Sequence, residues 1–108
     1  MYQEVSQNMS LFIYEIHYHR PLLHETIHNN NLRICELLLR NGADVNIKDS
    51  SNNTALYLAV SSMRIDCISL LIQYKADIHS KGVDNLSPYE IAIKNNNLEI
   101  MNIINKNN

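Results

Sequence analysis

The apolar positions of this chain recur at an interval of 33 residues. Many columns of this repeat hold an apolar side chain in every copy. The clearest columns are Leu23, Leu56 and Tyr89; Ile27, Val60 and Ile93; and Leu38, Leu71 and Ile104. Self-similarity at a fixed interval of this size is typical of proteins that stack short structural units. We therefore divide the chain into three copies, at about 15–47, 48–80 and 81–108.

Each copy predicts two short helices. Apolar residues follow helical spacing over two segments of every copy. The first segment is predicted at 22–29, 55–62 and 88–95, and the second at 32–40, 65–74 and 98–106. Thr54 and Ser87 stand where N-caps belong, and Gly42 can take the left-handed conformation that ends a helix. Helices of two turns are marginal alone, so each pair must bury its apolar face against the next pair.

Two stretches of the sequence resemble the ankyrin repeat. They are residues 21–24 (PLLH) and residues 36–46 (ELLLRNGADVN). The resemblance covers about residues 20 to 106. It implies an all-α solenoid of about three helix-turn-helix repeats joined by hairpin-like loops, with a role in binding another protein. Met63 and Lys75 stand where the family has glycine, which predicts modest stability. The many Asn and Ile residues are similar in style to ankyrin proteins of large DNA viruses such as poxviruses.

The two ends of the chain are predicted to differ from the repeats. Residues 1–14 do not fit the repeat, and their apolar stretch at 11–14 (LFIY) predicts an N-terminal cap on the open face of the first copy. Residues 15–108 then form the repeat domain. At the other end Asn102, Asn105 and Lys106 are placed outward on the last helix, so we expect a polar end face.

Charge and cysteine usage limit the classes of partner and the cellular compartment that we expect. The formal net charge is −2, from nine basic and eleven acidic residues scattered along the chain. Because no basic run exists, we expect no nucleic acid and no membrane as partners. Cys35 and Cys67 fall within apolar helical patterns, which favours buried free thiols in a reducing compartment. We expect a monomer without a cofactor in the cytoplasm, or in the host cytoplasm if the chain is viral.

One motif suggests metal chemistry. Residues 24–28 spell H-E-x-x-H, a pattern in which two histidines bind zinc and the glutamate activates water. An alternative function is therefore a small metal-binding or metallo-hydrolase domain, whose ligands His17 and His19 could extend. However, the resemblance to the ankyrin repeat already explains His24, because that family carries a histidine at this place. We therefore predict no metal site.

Other catalytic patterns are missing from the sequence. The chain has only two glycines, so it has no glycine-rich phosphate loop. No histidine stands in the repeat columns of Cys35 or Cys67 to activate either thiol. Asp44 and Asp77 recur with the repeat, which favours a structural role in bonding backbone N–H groups of a turn. We predict a protein without enzyme activity.

The resemblance implies a binding surface on the concave side of the stack. In the ankyrin family this side consists of the loop tips and the exposed face of the first helices. Carried over to this chain, it consists of His17, Tyr18, His19, Arg20, His28, Asn29, Lys48, Ser50, Ser51, Asn53, Ser61, Ser62, Lys81, Val83, Asp84, Leu86, Lys94 and Asn95. Tyr18 and Arg20 are the residue types that dominate interface energies. The second alternative is a truncated remnant of a longer ankyrin protein with little function of its own.

Overall fold

The structure, a computed structural model, describes residues 20–106. Within this range the chain forms six helices and no strand. In order they are α1 (Leu22–His28), α2 (Leu32–Arg40), α3 (Ala55–Ser61), α4 (Ile65–Gln73), α5 (Pro88–Lys94) and α6 (Leu98–Lys106). Every predicted helix is present, and its bounds differ from the predicted ones by at most one residue. The predicted cap at 1–14 lies outside the described residues.

The helices form two layers. The inner layer consists of α1, α3 and α5 packed side by side, and the outer layer consists of α2, α4 and α6. Each inner helix also packs against the outer helix that follows it. The middle copy contacts both neighbours, and its Leu56, Ile68 and Leu71 are fully buried. This arrangement confirms the predicted all-α solenoid. None of these six helices is long and apolar enough to cross a membrane.

The helix starts follow the predicted capping. The Thr54 hydroxyl accepts a hydrogen bond from Tyr57 N at 3.1 Å. Ser87 and Glu90 form a reciprocal capping box, with distances of 3.1 and 2.9 Å. The Ser87 N–H also holds the pKa of the Glu90 carboxyl below its usual value. Pro21 occupies the N-cap position before α1 and makes no side-chain hydrogen bond there, because proline offers no hydroxyl.

Left-handed backbone conformations recur with the repeat. They stand at the break within each copy, at the end of the outer helices and at the loop tips. The residues are Asn30, Met63 and Asn96; Gly42 and Lys75; and Asn52 and Asn85, with φ between 51° and 91°. Glycine and asparagine tolerate this region, whereas Met63 and Lys75 carry a steric cost there. The expectation that these two residues occupy glycine places is confirmed.

The far end of the stack is less polar than the sequence predicts. Asn102 and Asn105 are exposed, as expected. However, Ile93 on α5 is 46% exposed and Leu98 at the start of α6 is 65% exposed. The expectation of a polar end face is therefore wrong at these two positions. Ile93 shares its repeat column with Ile27 on α1 and Val60 on α3, and both of those residues are buried between copies.

Candidate functional site

Two tight loops, which we call fingers, connect one copy to the next. The first finger is residues 48–54 and the second finger is residues 81–87. Each finger closes with the same pair of backbone hydrogen bonds, shifted by one repeat. Asp49 N donates to Asn53 O at 3.0 Å and Asn52 N to Asp49 O at 2.9 Å; Gly82 N donates to Leu86 O and Asn85 N to Gly82 O, both at 2.9 Å. The fingers are the predicted hairpin-like loops.

Side chains of two aspartates and one asparagine accept hydrogen bonds from the backbone segment that precedes each finger. Asp44 Oδ1 accepts a hydrogen bond from Asn46 N at 2.9 Å, and Asp77 Oδ1 accepts one from His79 N at 2.9 Å. The Asn46 Oδ1 atom in turn accepts from Asp77 N at 2.8 Å. These bonds confirm the predicted structural role of the two aspartates. The bond from Asp77 N to Asn46 Oδ1 also links the first copy to the second.

Asn53 connects three copies. Its N–H donates to Asp49 Oδ1 at 2.9 Å, and its carbonyl oxygen lies 2.7 Å from His24 Nε2. Its side-chain Oδ1 accepts from Val83 N in the second finger at 2.8 Å. Asn53 is only 7% exposed. Three of its polar atoms are therefore used inside the stack, and its contact with a partner stays a prediction.

The second finger rests on α3. Gly82 is buried, and a Cβ atom added there would lie 2.6 Å from Asn53 Oδ1 and would overlap the Tyr57 ring. Only glycine therefore allows the finger to approach this closely. Burial raises the pKa of the Tyr57 phenol, and Asp84 raises it further.

An open groove of about 530 Å³ lies between α1 and the first finger. Its lining is polar and carries both signs of charge. The described residues that line it are Arg20, Glu25, His28, Asn29, Asp49, Ser50 and Ser51. Arg20 Nη1 lies 3.3 Å from Glu25 Oε1. This ion pair joins two residues of the groove lining, although such a partly exposed pair contributes little to stability.

The structure exposes most of the predicted binding residues. His28, Asn29, Lys48, Ser50, Ser51, Ser61, Ser62, Lys81, Val83, Asp84, Lys94 and Asn95 are exposed. Arg20 and Leu86 are half-buried, and Leu86 packs against the core. His17, Tyr18 and His19 lie outside the described residues. The groove brings together Arg20, His28 and Asn29 from α1 and its approach, with Ser50 and Ser51 from the first finger.

Two groove residues, Glu25 and Asp49, were missed by the sequence analysis. Glu25 precedes His28 by three positions and Asn29 by four, so helical spacing alone places it on the same face. That signal was available in the sequence. Asp49 gave a weaker signal, because an aspartate in a turn is as often used for backbone bonding as for binding.

The H-E-x-x-H residues do not form a metal site. His24 is fully buried and its Nε2 is engaged with Asn53 O, whereas His28 is exposed. Within residues 20–106, no three His, Cys, Asp or Glu side chains gather closely enough to hold a metal ion. His17 and His19 lie outside that range. The metallo-hydrolase alternative therefore has no support from the residues that carried it.

The two thiols are buried and free. Burial raises the pKa of Cys35 to about 11 and also raises the pKa of Cys67. A nucleophilic cysteine needs the opposite shift, toward a thiolate at neutral pH. Both side chains therefore behave as small apolar groups of the core.

The repeated helix pairs and fingers match a known family. A family model of three ankyrin repeats matches residues 23–108. The chain is an ankyrin repeat protein. Ankyrin repeats are a kind of protein–protein interaction module and are generally non-enzymatic.

Relatives of this ankyrin chain occur in a poxvirus and in mammals. The fowlpox virus ankyrin repeat protein FPV244 is 34% identical over 83 residues, which is 77% of this chain and 12% of that relative. Fowlpox virus FPV031 is 34% identical over 87 residues, 76% of this chain and 26% of that relative. Human ankyrin repeat and SOCS box protein 11 is 26% identical over 91 residues, 83% of this chain and 27% of that relative. The ankyrin chain thus spans about a quarter or less of these relatives.

Proposed function

We propose that this ankyrin chain binds a partner protein on its concave face. The observation that carries the proposal is the groove of about 530 Å³ between α1 and the first finger. A groove on the opposite side, between α2 and α4, measures only about 240 Å³. Ligands favour concave sites with a few convergent polar groups, and the larger groove has this form.

The variation between copies supports the same face. The column of His28 holds Ser61 and Lys94 in the other copies, and Ser50 is replaced by Val83. All five residues are exposed. Columns that stay apolar in every copy build the stack, whereas columns that change are free to contact a partner. The concave face therefore meets the requirement that a binding surface can vary without altering the fold.

The chemistry of the face indicates a partner that offers hydrogen-bonding groups and an apolar side chain. Ser50, Ser51 and Asn29 supply neutral polar groups in the groove. Val83 is 69% exposed at the tip of the second finger, which provides an apolar contact outside the groove. Arginine is one of the residue types that contribute most to binding energy at interfaces, so Arg20 is a candidate anchor when a partner excludes water from it.

The proposal includes a cytoplasmic location, that of the host if the chain is viral. Two buried free thiols, Cys35 and Cys67, suit a reducing compartment. The similarity to fowlpox virus proteins supports a viral setting.

The test compares two triple variants for capture of partner proteins from cytosol, followed by titration with the purified partner. The concave variant combines Arg20→Ala, His28→Ala and Val83→Ala. The matched control on the exposed side of α2 combines Arg33→Ala, Glu36→Ala and Arg40→Ala. We expect the concave variant to weaken binding at least tenfold, which needs only about 1.4 kcal/mol. Loss of binding in the control but not in the concave variant would show that the concave proposal is wrong.

A further inference from the structure

The groove between α2 and α4, which we call the outer groove, has a chemistry of its own. Its walls are one face of each helix, because the lining residues on either helix are three or four positions apart. The residues that line it are Leu32 and Glu36 on α2, and Asp66, Ser69, Leu70 and Gln73 on α4. Two neighbouring copies therefore form both walls of the outer groove.

The outer groove combines apolar side chains with two carboxylates. Leu32 is 39% exposed and Leu70 is 8% exposed, so each helix contributes an apolar surface. Glu36 and Asp66 are both exposed, and they place one carboxylate on each helix. No basic residue lines the groove within the described part of the chain. A ligand in the outer groove would contact aliphatic carbon and two negative charges.

No positive side chain neutralises these two carboxylates among residues 20–106. Neither Glu36 nor Asp66 forms an ion pair there. Arg33 and Arg40 on α2 are exposed, but they do not line the outer groove. They occupy the repeat columns of Asp66 and Gln73, which face the preceding copy, so they lie on the side of α2 away from α4. The charge of the outer groove is therefore available to a cation from outside.

The corresponding positions between α4 and α6 carry a different pattern of charge. They lie 33 residues further along the chain and are Ile65, Ser69, Glu99, Asn102, Ile103 and Lys106. One carboxylate and one ammonium group stand there, whereas the outer groove has two carboxylates. The acidic character of the outer groove is therefore not a general consequence of how the copies stack.

The size of the outer groove fits one long side chain. Its volume of about 240 Å³ is below the roughly 300–1,000 Å³ of sites that bind small molecules. Arginine has an aliphatic stem that packs on apolar surface and a charged end that stays in contact with polar groups. Its guanidinium distributes donors over three nitrogens, so it can reach two carboxylates, whereas lysine has all its donors on one nitrogen.

We propose that the outer groove binds an arginine side chain of a partner protein. The aliphatic stem lies on Leu32 and Leu70, and the guanidinium donates hydrogen bonds to Glu36 and Asp66. The outer groove is separate from the concave face, so this proposal and the proposed concave binding stand or fall separately. One side chain in an open groove corresponds to a dissociation constant of about 1–10 mM, which is too weak to retain a protein from cytosol. The capture experiment on the concave face therefore remains valid.

Titration of the full chain with N-acetyl-arginine amide, followed by two-dimensional NMR, tests the outer groove. The two caps leave the guanidinium as the only charge of the probe. We expect saturable shift changes confined to the residues that line the outer groove. N-acetyl-citrulline amide has nearly the same shape without the charge and should bind at least about tenfold more weakly, because it makes no charged hydrogen bond. Equal affinity for both probes, or shift changes confined to another surface, overturns the proposal.

A lysine probe and a pair of variants locate the binding further. N-acetyl-lysine amide should bind more weakly than the arginine probe, and equal affinity would overturn the assignment to arginine. The double variant Glu36→Gln, Asp66→Asn keeps the side-chain shapes at two exposed positions and should weaken arginine binding at least about tenfold. The matched control Glu99→Gln lies in the column of Asp66, one copy further, and should keep the parent affinity.

Unchanged arginine binding in the double variant, or a loss in the Glu99→Gln control alone, overturns the proposal. Helical circular dichroism of both variants should match that of the parent, because all three substitutions are at exposed positions. The comparison of the arginine and citrulline probes uses the unchanged chain, so it stays decisive if the double variant fails to fold.

Discussion

The Nε2 atom of His24 lies 2.7 Å from the carbonyl oxygen of Asn53, and it ties α1 to the first finger. A carbonyl oxygen can only accept, so Nε2 carries the proton and Nδ1 does not. Nδ1 is buried and has no hydrogen-bond partner among residues 20–106. Protonating it would therefore place an unpaired charge inside the stack. Burial lowers the pKa of His24, and this outweighs the opposing effects of the Asn53 carbonyl and the Asp49 carboxylate.

This contact predicts a loss of stability in mild acid. Below the ordinary histidine pKa of about 6.5, the unfolded chain binds a proton at His24 that the folded chain does not bind. The free energy of unfolding should then fall by up to about 1.4 kcal/mol per pH unit, until the lowered folded pKa is reached. Urea denaturation at a series of pH values between neutral and about 5.5 measures this slope. The slope should be smaller in His24→Gln and unchanged in His28→Gln, and equal slopes in all three proteins would contradict the prediction.

The middle copy should be the most sensitive part of the core. Leu71 is fully buried between the neighbouring copies, so Leu71→Ala should cost about 2–5 kcal/mol. A small three-repeat stack has stability near the lower end of the usual range, and this loss should unfold much of the protein. Leu37→Ala makes the same chemical change at a site that is 46% exposed. Thermal melts should show a large drop for the first variant and a small one for the second. Similar melts would argue against the repeat register.

Relief of backbone strain should stabilise the chain. Lys75 has φ of 69° at the end of α4, where Gly42 has φ of 91° at the end of α2. A side chain in this region costs on the order of 1 kcal/mol. Glycine removes that cost, but part of the gain is lost because glycine increases the conformational entropy of the unfolded chain. Lys75→Gly should therefore raise the denaturation midpoint modestly, and Lys75→Asn should do the same. Lys81→Gly serves as the control, since no left-handed conformation is needed there. A lower midpoint for both Lys75 variants would refute the strain argument.

The close approach of the second finger to α3 should not tolerate a methyl group. In Gly82→Ala the added carbon would collide with the Tyr57 ring and with Asn53 Oδ1. We expect a loss of about 1–3 kcal/mol, as for other overpacked sites. Lys81→Ala changes the neighbouring exposed residue and should leave the melt almost unchanged. A Gly82→Ala variant as stable as the parent would mean that the finger can lift from α3 without cost.

Most of the fold could be predicted because its determinants are local. The columns through Leu56 and Leu71 gave the helices and their stacking, and Thr54 and Ser87 gave the helix starts. The left-handed places at Lys75 and Met63 followed from the family resemblance. Each of these features depends on spacing along the chain, which a sequence displays directly.

The site was harder to predict because its properties depend on which atoms meet across copies. Asn53 looks like any polar loop residue, yet its carbonyl oxygen and its side-chain Oδ1 bond to the copies on either side, and its N–H bonds within the first finger. Leu86 belongs to the predicted binding set, but it is half-buried and packs against the core. Exposure at Ile93 could not be derived from its own column, which is apolar in every copy.

The pairing of each helix with its nearest neighbours has a consequence for synthesis. Within residues 20–106, each helix packs extensively only against helices of its own copy or the adjacent one. Contacts of such short sequence separation form quickly, because little loop-closure entropy must be lost to make them. The first helix pair therefore needs only the next repeat length of chain to emerge from the ribosome before it gains a partner. Folding can therefore proceed during translation, and little apolar surface stays exposed while the rest of the chain is synthesised.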